Sequence, residues 1–322
     1  MRPNEICRIR GWAVVGLFAL MALGPQLGAA ATLPDDCKAQ TAADWTACGS
    51  VAFDQGRYDD AMAAYTEALR LDPRYWPALN DRGSLAMRVG DSEAALRDFG
   101  QALAIAPDHC AEICFNRATA LYLAQRFPEA IADYTAVLKL APDDDQALLR
   151  RAICYRIIGN NEAALQDFAD LARLKPDNVG AYSNRAAIYA AMGNDKAAGQ
   201  EDEKALAVDP TYADAYYDRA SIAYRHKRFR DAVDDYTTAI QFYAEAANGP
   251  SKRVSGWYSL GDYAQPLQPG ASLRGIDLYL ADAYYWRSRS WRNLGDTVKA
   301  DSDLADATRI DPSVVARAGE LP

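Results

Sequence analysis

Only two histidines, His109 and His226, occur in this chain, so an imidazole metal centre and most proton-shuttling machinery lack their raw material. A cationic excess is missing too. The 322 residues carry 35 Lys and Arg against 44 Asp and Glu, a formal charge of −9, which argues against nucleic acid, whose phosphates require a dense positive surface. There is no Gly-rich phosphate loop, no Gly-x-Ser-x-Gly elbow and no paired-His metal motif. The carboxylates fall at repeat-periodic helix places, where solvated faces are the rule. No catalytic residue and no cofactor is expected, and no metal site.

Long apolar runs are also scarce. Trp12 to Leu23 is 12 residues, against the about 20 needed to cross a membrane. With Arg2, Arg8 and Arg10 before it and Ala29-Ala30-Ala31 after it, the run reads as the apolar part of a cleaved export signal over residues 1–31. Removal would take three Arg and one Glu, leaving 32 basic against 43 acidic residues and a charge of −11. The expected product is acidic, located in the periplasm or outside the cell, with no membrane insertion. Cys7 would leave with the signal, and five cysteines would remain in an oxidising space. Cys37 and Cys48 are expected to be bridged. Cys110 and Cys114, four apart, suit a second disulfide better than a metal site with Asp108 and His109, which leaves Cys154 free.

What the sequence does have is a period. Pro73, Pro107, Pro142, Pro176 and Pro210 stand 34, 35, 34 and 34 apart, and Pro312 ends a similar apolar run. Spacing in the thirties is the mark of a helical solenoid. Aligned on these prolines, repeats start at Ala42, Trp76, Ala111, Asp145, Val179, Ala213 and Ala281. The eighth place is then always small: Gly49, Gly83, Ala118, Ala152, Ala186, Ala220 and Ser288. So is the twentieth, from Ala61 to Ala300. Gly56, Gly90, Gly159, Gly193 and Gly295 mark a turn at the fifteenth place, and Tyr65, Phe99, Tyr134, Phe168 and Tyr236 put an aromatic at the twenty-fourth.

These residues resemble the tetratricopeptide repeat (TPR) family. The resemblance implies an all-α fold, a right-handed α-solenoid of stacked helix-turn-helix hairpins, because one hairpin cannot bury its apolar face alone. An N-terminal segment (32–41) would precede six repeats at 42–75, 76–109, 111–144, 145–178, 179–212 and 213–246. A loop insertion (247–272), a seventh repeat with an extended first helix (273–314) and a tail (315–322) would follow. Two departures stand out: Asp202 replaces the aromatic of the fifth repeat, which predicts looser packing there, and Ala244 replaces the proline of the sixth, which predicts a longer second helix.

Arg82, Arg117, Arg151, Arg185, Arg219 and Arg287 recur at the seventh place, and an acid follows each by sixteen residues, from Asp98 to Asp303. Ion pairs within each hairpin explain this array better than polyanion binding. The first repeat has Cys48 and Ala64 at those places, so both partners are missing together.

The resemblance further implies a concave face built from the second, fifth, ninth, twelfth and thirteenth places. Those places hold Asn80, Ser84, Met87 and Arg88, then Phe115, Thr119 and Tyr122, then Leu149, Ile153 and Arg156. The fifth repeat offers Ser183, Ala187, Ala190 and Ala191, a hollow. Tyr217, Tyr224, Arg225, Tyr285, Arg289 and Arg292 follow as an aromatic and cationic wall. No Lys stands at the fifth place, where the family's carboxylate clamp has one, so a terminal Glu-Glu-Val-Asp peptide is not an expected ligand. The expected partner is a protein or extended peptide segment, net acidic or aromatic-bearing, held by tyrosine stacking and arginine forks. Trp257, Tyr258 and Tyr263 in the insertion are expected contacts, on a segment folding over the C-terminal end of the groove as a partial lid. A non-catalytic binding scaffold is thus the primary reading. The alternative is an enzyme subunit or cryptic hydrolase that uses residues 247–272.

Overall fold

The computed structural model describes residues 39–248 and 275–318. Fifteen α-helices and a short 3-10 turn at Pro107–His109 account for its secondary structure. Each hairpin follows from the same local chemistry. Alanine-rich stretches with apolar residues three and four apart wind into helices, and side chains such as those of Asp91, Asn160, Asn178 and Asn194 accept a first-turn N–H to start them. Thr41 and Asp44 form a reciprocal capping box at the first helix.

The hairpins are α1 (Ala42–Asp54) with α2 (Tyr58–Leu71), α3 (Trp76–Arg88) with α4 (Ser92–Ile105), and α5 (Cys110–Leu123) with α6 (Phe127–Leu140). They continue as α7 (Asp145–Ile157) with α8 (Asn161–Leu174), α9 (Val179–Ala191) with α10 (Asp195–Val208), and α11 (Ala213–Arg225) with α12 (Phe229–Asn248). The seventh is α13 (Gly275–Asn293) with α14 (Thr297–Ile310), and α15 (Val314–Ala318) covers its end. Together they form an all-helical solenoid of paired, stacked helices.

The turn inside each hairpin needs one left-handed residue. Five of the seven use glycine, while Gln125 and Lys227 hold the same conformation at φ 58°. At the hairpin waist the eighth place must be small: a Cβ on Gly83 would sit 2.9 Å from the Phe99 ring. Proline at the thirty-second place keeps the second helix from continuing; with Ala244 there instead, α12 runs for 20 residues where its counterparts have 14. Helix α13 starts early to match, and the two pack as a lengthened antiparallel pair.

The apolar core is a chain of clusters along the stack. One runs through the first three hairpins and another from Cys114 to Ile188; a third begins only at Ala220. The gap between the last two falls at Asp202.

Candidate inner-face binding groove

The first helices of the hairpins, α1, α3, α5, α7, α9, α11 and α13, carry the places assigned to the concave face. Six arginine–acid pairs fix how each first helix sits on its second. Arg82–Asp98, Arg117–Asp133, Arg151–Asp167 and Arg287–Asp303 are two-pronged, at 2.7–2.8 Å. Arg219–Asp235 is two-pronged as well, and Arg185 reaches Glu201 at 3.2 Å. These arginines are therefore committed to the scaffold, which removes them as a polyanion site.

In the second to fourth hairpins the groove is a mixture of half-exposed and fully packed side chains. Met87, Phe115, Thr119, Leu149 and Arg156 are half-buried, and Ser84 donates back to the Asn80 carbonyl. Asn80, at 3% exposure, is not a free contact: its amide donates to Glu112 (3.0 Å) and its carbonyl oxygen accepts from Asn116 (3.0 Å). Tyr122 and Ile153 are buried in the core, and Ser183 is buried beneath the Tyr212 hydroxyl, which donates to it at 3.1 Å. Burial pushes Arg156 below the usual guanidinium range, with the hydroxyls of Tyr122 and Tyr279 acting against it.

The sequence reasoning missed Arg150. It lies at the sixth place of its repeat, outside the places used to draw the groove, and its guanidinium stands 5.7 Å from the centre of the Phe115 ring. Among the described residues no carboxylate pairs with it. The signal that would have found it is a guanidinium with no acid sixteen residues on.

The residues of the expected aromatic and cationic wall make contacts within the chain, while Arg225, Arg289 and Arg292 stay exposed. Those arginines are already engaged within the chain. Arg225 pairs with Asp195 at 2.5 Å, Arg292 with Asp301 at 2.6 Å, and Arg289 donates to the Tyr285 hydroxyl at 3.1 Å. Its rings pack on one another. Tyr217 is edge-on to Tyr236 and Tyr279, Tyr224 to Trp286 and Phe229, and Tyr285, 6% exposed, to Trp286. The physical reason is the early start of α13: Tyr279 stacks on Tyr243 of the lengthened α12, and the pair covers Tyr217.

Cys110 and Cys114 are joined by a disulfide, with Cα atoms 4.8 Å apart where the 3-10 turn enters α5. Cys154 is a free, buried thiol that burial pushes up to about 12, which leaves it protonated and inert. Cys37, the partner assigned to Cys48, lies outside the described residues, as do the export signal and Trp257, Tyr258 and Tyr263. Among the described residues no three His, Cys, Asp or Glu side chains are arranged to hold a metal ion. None of their helices is long and apolar enough to cross a membrane.

Residues 47–109 and 115–179 match the family model described as tetratricopeptide repeat. RNA polymerase II-associated protein 3 of Rattus norvegicus is 33% identical over 100 residues, which is 31% of this chain and 15% of that relative's length. A protein STIP1 homolog of Dictyostelium discoideum is 30% identical over 108 residues, 34% of this chain and 19% of its own. Among solved structures, the C-terminal part of a TPR repeat-containing protein from Cytophaga hutchinsonii superposes with a TM-score of 0.63 at 15% identity. That match covers 85% of this chain and 98% of that one. YrrB, described as a TPR protein with an unusual peptide-binding site, gives 0.50 at 21% identity over 54% of this chain and 89% of its own. The repeat signature in sequence and the paired helices agree: residues 47–109 and 115–179 match the tetratricopeptide repeat, and helices paired in the same way continue to Ile310.

Proposed function

We propose that this protein is a non-catalytic scaffold that holds an extended protein or peptide segment along the inner face of its second to fourth hairpins, in the periplasm or cell exterior. The observation that carries the reading is Arg150, a half-buried guanidinium that no described carboxylate pairs with, set beside the rings of Phe115 and Tyr134 in an acidic protein. A cation placed among apolar contacts suits a segment that brings acidic and aromatic side chains, since an arginine fork binds a carboxylate by two parallel hydrogen bonds. The peptide-binding site named for YrrB supports the same kind of use for this fold. The export-like residues 1–31 support the location.

The test is fluorescence anisotropy with a panel of extended peptides that alternate Glu and Phe, using the full chain and its Phe115→Ala/Arg150→Ala variant. At least tenfold weaker binding by the variant, measured well below its own melting temperature, is the expected result. Equal binding by both proteins would place the ligand elsewhere.

A further inference from the structure

At three of the six joints between hairpins a tyrosine at the twenty-fourth place meets the hydroxyl at its own ninth place, and at two of these the contact extends to the sixth place of the next hairpin. Tyr65 bonds Ser50, which bonds Asp81; Tyr134 meets Thr119 at 3.2 Å and lies beside Arg150; Tyr236 meets Ser221 at 3.0 Å. The fifth joint has none of this. Asp202 stands where the ring belongs, Ala187 where the hydroxyl belongs, and Asp218 at the sixth place.

Asp202 is 0% exposed, and neither of its carboxylate oxygens has a hydrogen-bond partner. An ionised carboxylate in that setting is costly, and loss of the charge by protonation is the cheaper solution. Burial, then the facing Asp218, push Asp202 up to about 9. Burial, then Asp214, push Asp218 up to about 7.

The surrounding charges relieve the pair only in part: Arg219 acts against the rise of Asp202 and Arg225 against that of Asp218, but both arginines are bound to other acids. On α10, Glu201 is bound to Arg185 of α9 and to Lys204. On α11, Arg219 is held two-pronged by Asp235 of α12, and Arg225 by Asp195. Asp214 accepts from the Tyr243 hydroxyl of α12 at 2.6 Å, and Tyr236 of α12 and Tyr217 of α11 are neutral phenols that burial, and less so Asp218, push upward. The apolar core stops on either side of this point, and the contacts from α8 to α9 and from α10 to α11 are the sparsest between consecutive hairpins.

We propose that the joint between the fifth and sixth hairpins is a protonation-dependent hinge, closed while Asp202 is neutral and opened when Asp202 ionises beside Asp218. The closed joint binds a proton that the opened, solvated joint releases. The closed state is therefore favoured at low pH and is lost progressively as pH rises from the ordinary carboxylate range towards about 9. Opening would splay the inner face between Arg156 and Tyr224.

Hydrogen exchange on the full chain at pH 6, 7 and 8, corrected for the intrinsic exchange rate, tests this. Amides of α10 and α11 should lose protection relative to those of α6 by about tenfold per pH unit above pH 7, the slope of one proton released from Asp202, and more steeply below it, where Asp218 adds its own. Asp202→Asn, which keeps the shape without the titration, should flatten the slope above pH 7. The same slope in the variant, or a slope spread evenly over all joints, would overturn the proposal. Carboxyl infrared spectroscopy on the unaltered chain gives a readout that does not depend on a variant folding. A protonated carboxyl band that persists at pH 7 and titrates towards pH 9 supports the hinge, and its absence at pH 7 refutes it.

Discussion

The third and fifth hairpins have the same two-helix frame, yet they differ at almost every place that determines how tightly a hairpin is held. In the third, Tyr134 is fully buried, bonds Thr119 and packs edge-on against Phe115, while Arg117 grips Asp133 with two hydrogen bonds. In the fifth, Asp202 replaces the ring, Ala187 and Ser183 replace its neighbours, and Arg185 reaches a longer Glu201 that shares itself with Lys204. One detail runs the other way: the fifth turns on Gly193, the third on a strained Gln125. A repeat frame thus tolerates a badly filled member because stability in a stack is a sum of hairpin and neighbour terms, and a weak unit borrows from its neighbours.

The largest effect should come from emptying the third hairpin. Tyr134→Ala removes a fully buried aromatic, and a loss of about 3–5 kcal/mol in urea unfolding is expected, along with faster hydrogen exchange centred on α5 to α7. A loss below about 1 kcal/mol would mean that the ring is not what separates the two hairpins.

The ion pairs rank next. Asp133→Ala leaves a half-buried Arg117 without its acid and should cost about 2–3 kcal/mol, with partial exposure keeping it under the value of a fully buried pair. Glu201→Ala should cost about 1 kcal/mol less, because one of its oxygens is buried with no partner and its removal relieves that penalty. Equal losses in parallel thermal melts would erase this part of the comparison.

The smallest change should be a gain. Gln125→Gly gives the third hairpin the turn residue of the fifth and should add on the order of 0.5–1 kcal/mol, because a left-handed backbone penalises any side chain with a Cβ. Gly193→Ala should lose a similar amount, and a melt showing no change in either would place the strain elsewhere.

Much of the fold was legible because the repeat states each rule several times. Trp76, Asp145, Val179 and Ala213 were read as repeat starts, and each begins a helix. The arginine–acid array was readable for the same reason, since a spacing of sixteen spans one turn and returns to the same level. The groove was less legible. Arg225 and Asp195 stand thirty residues apart, and the equivalent places hold an arginine in only one other described repeat, where Arg88 meets Tyr58 and not an acid, so no ion-pair pattern announces that this arginine is taken. Tyr217 was read as a groove residue because its place faces the groove in the family's hairpin. Only the lengthened α12 and early α13 bring Tyr279 and Tyr243 over it.

By itself, then, the sequence determined the all-helical hairpin stack, the turns, the paired arginines and the position of the odd fifth repeat, all of which depend on contacts within about one period of 34 residues. The tertiary structure alone decided which inner-face side chains remain available and that Asp202 is sealed without a partner. Those outcomes depend on what neighbouring hairpins bring to the same point, and the burial that sets a carboxyl's charge state exists only once the hairpins are stacked.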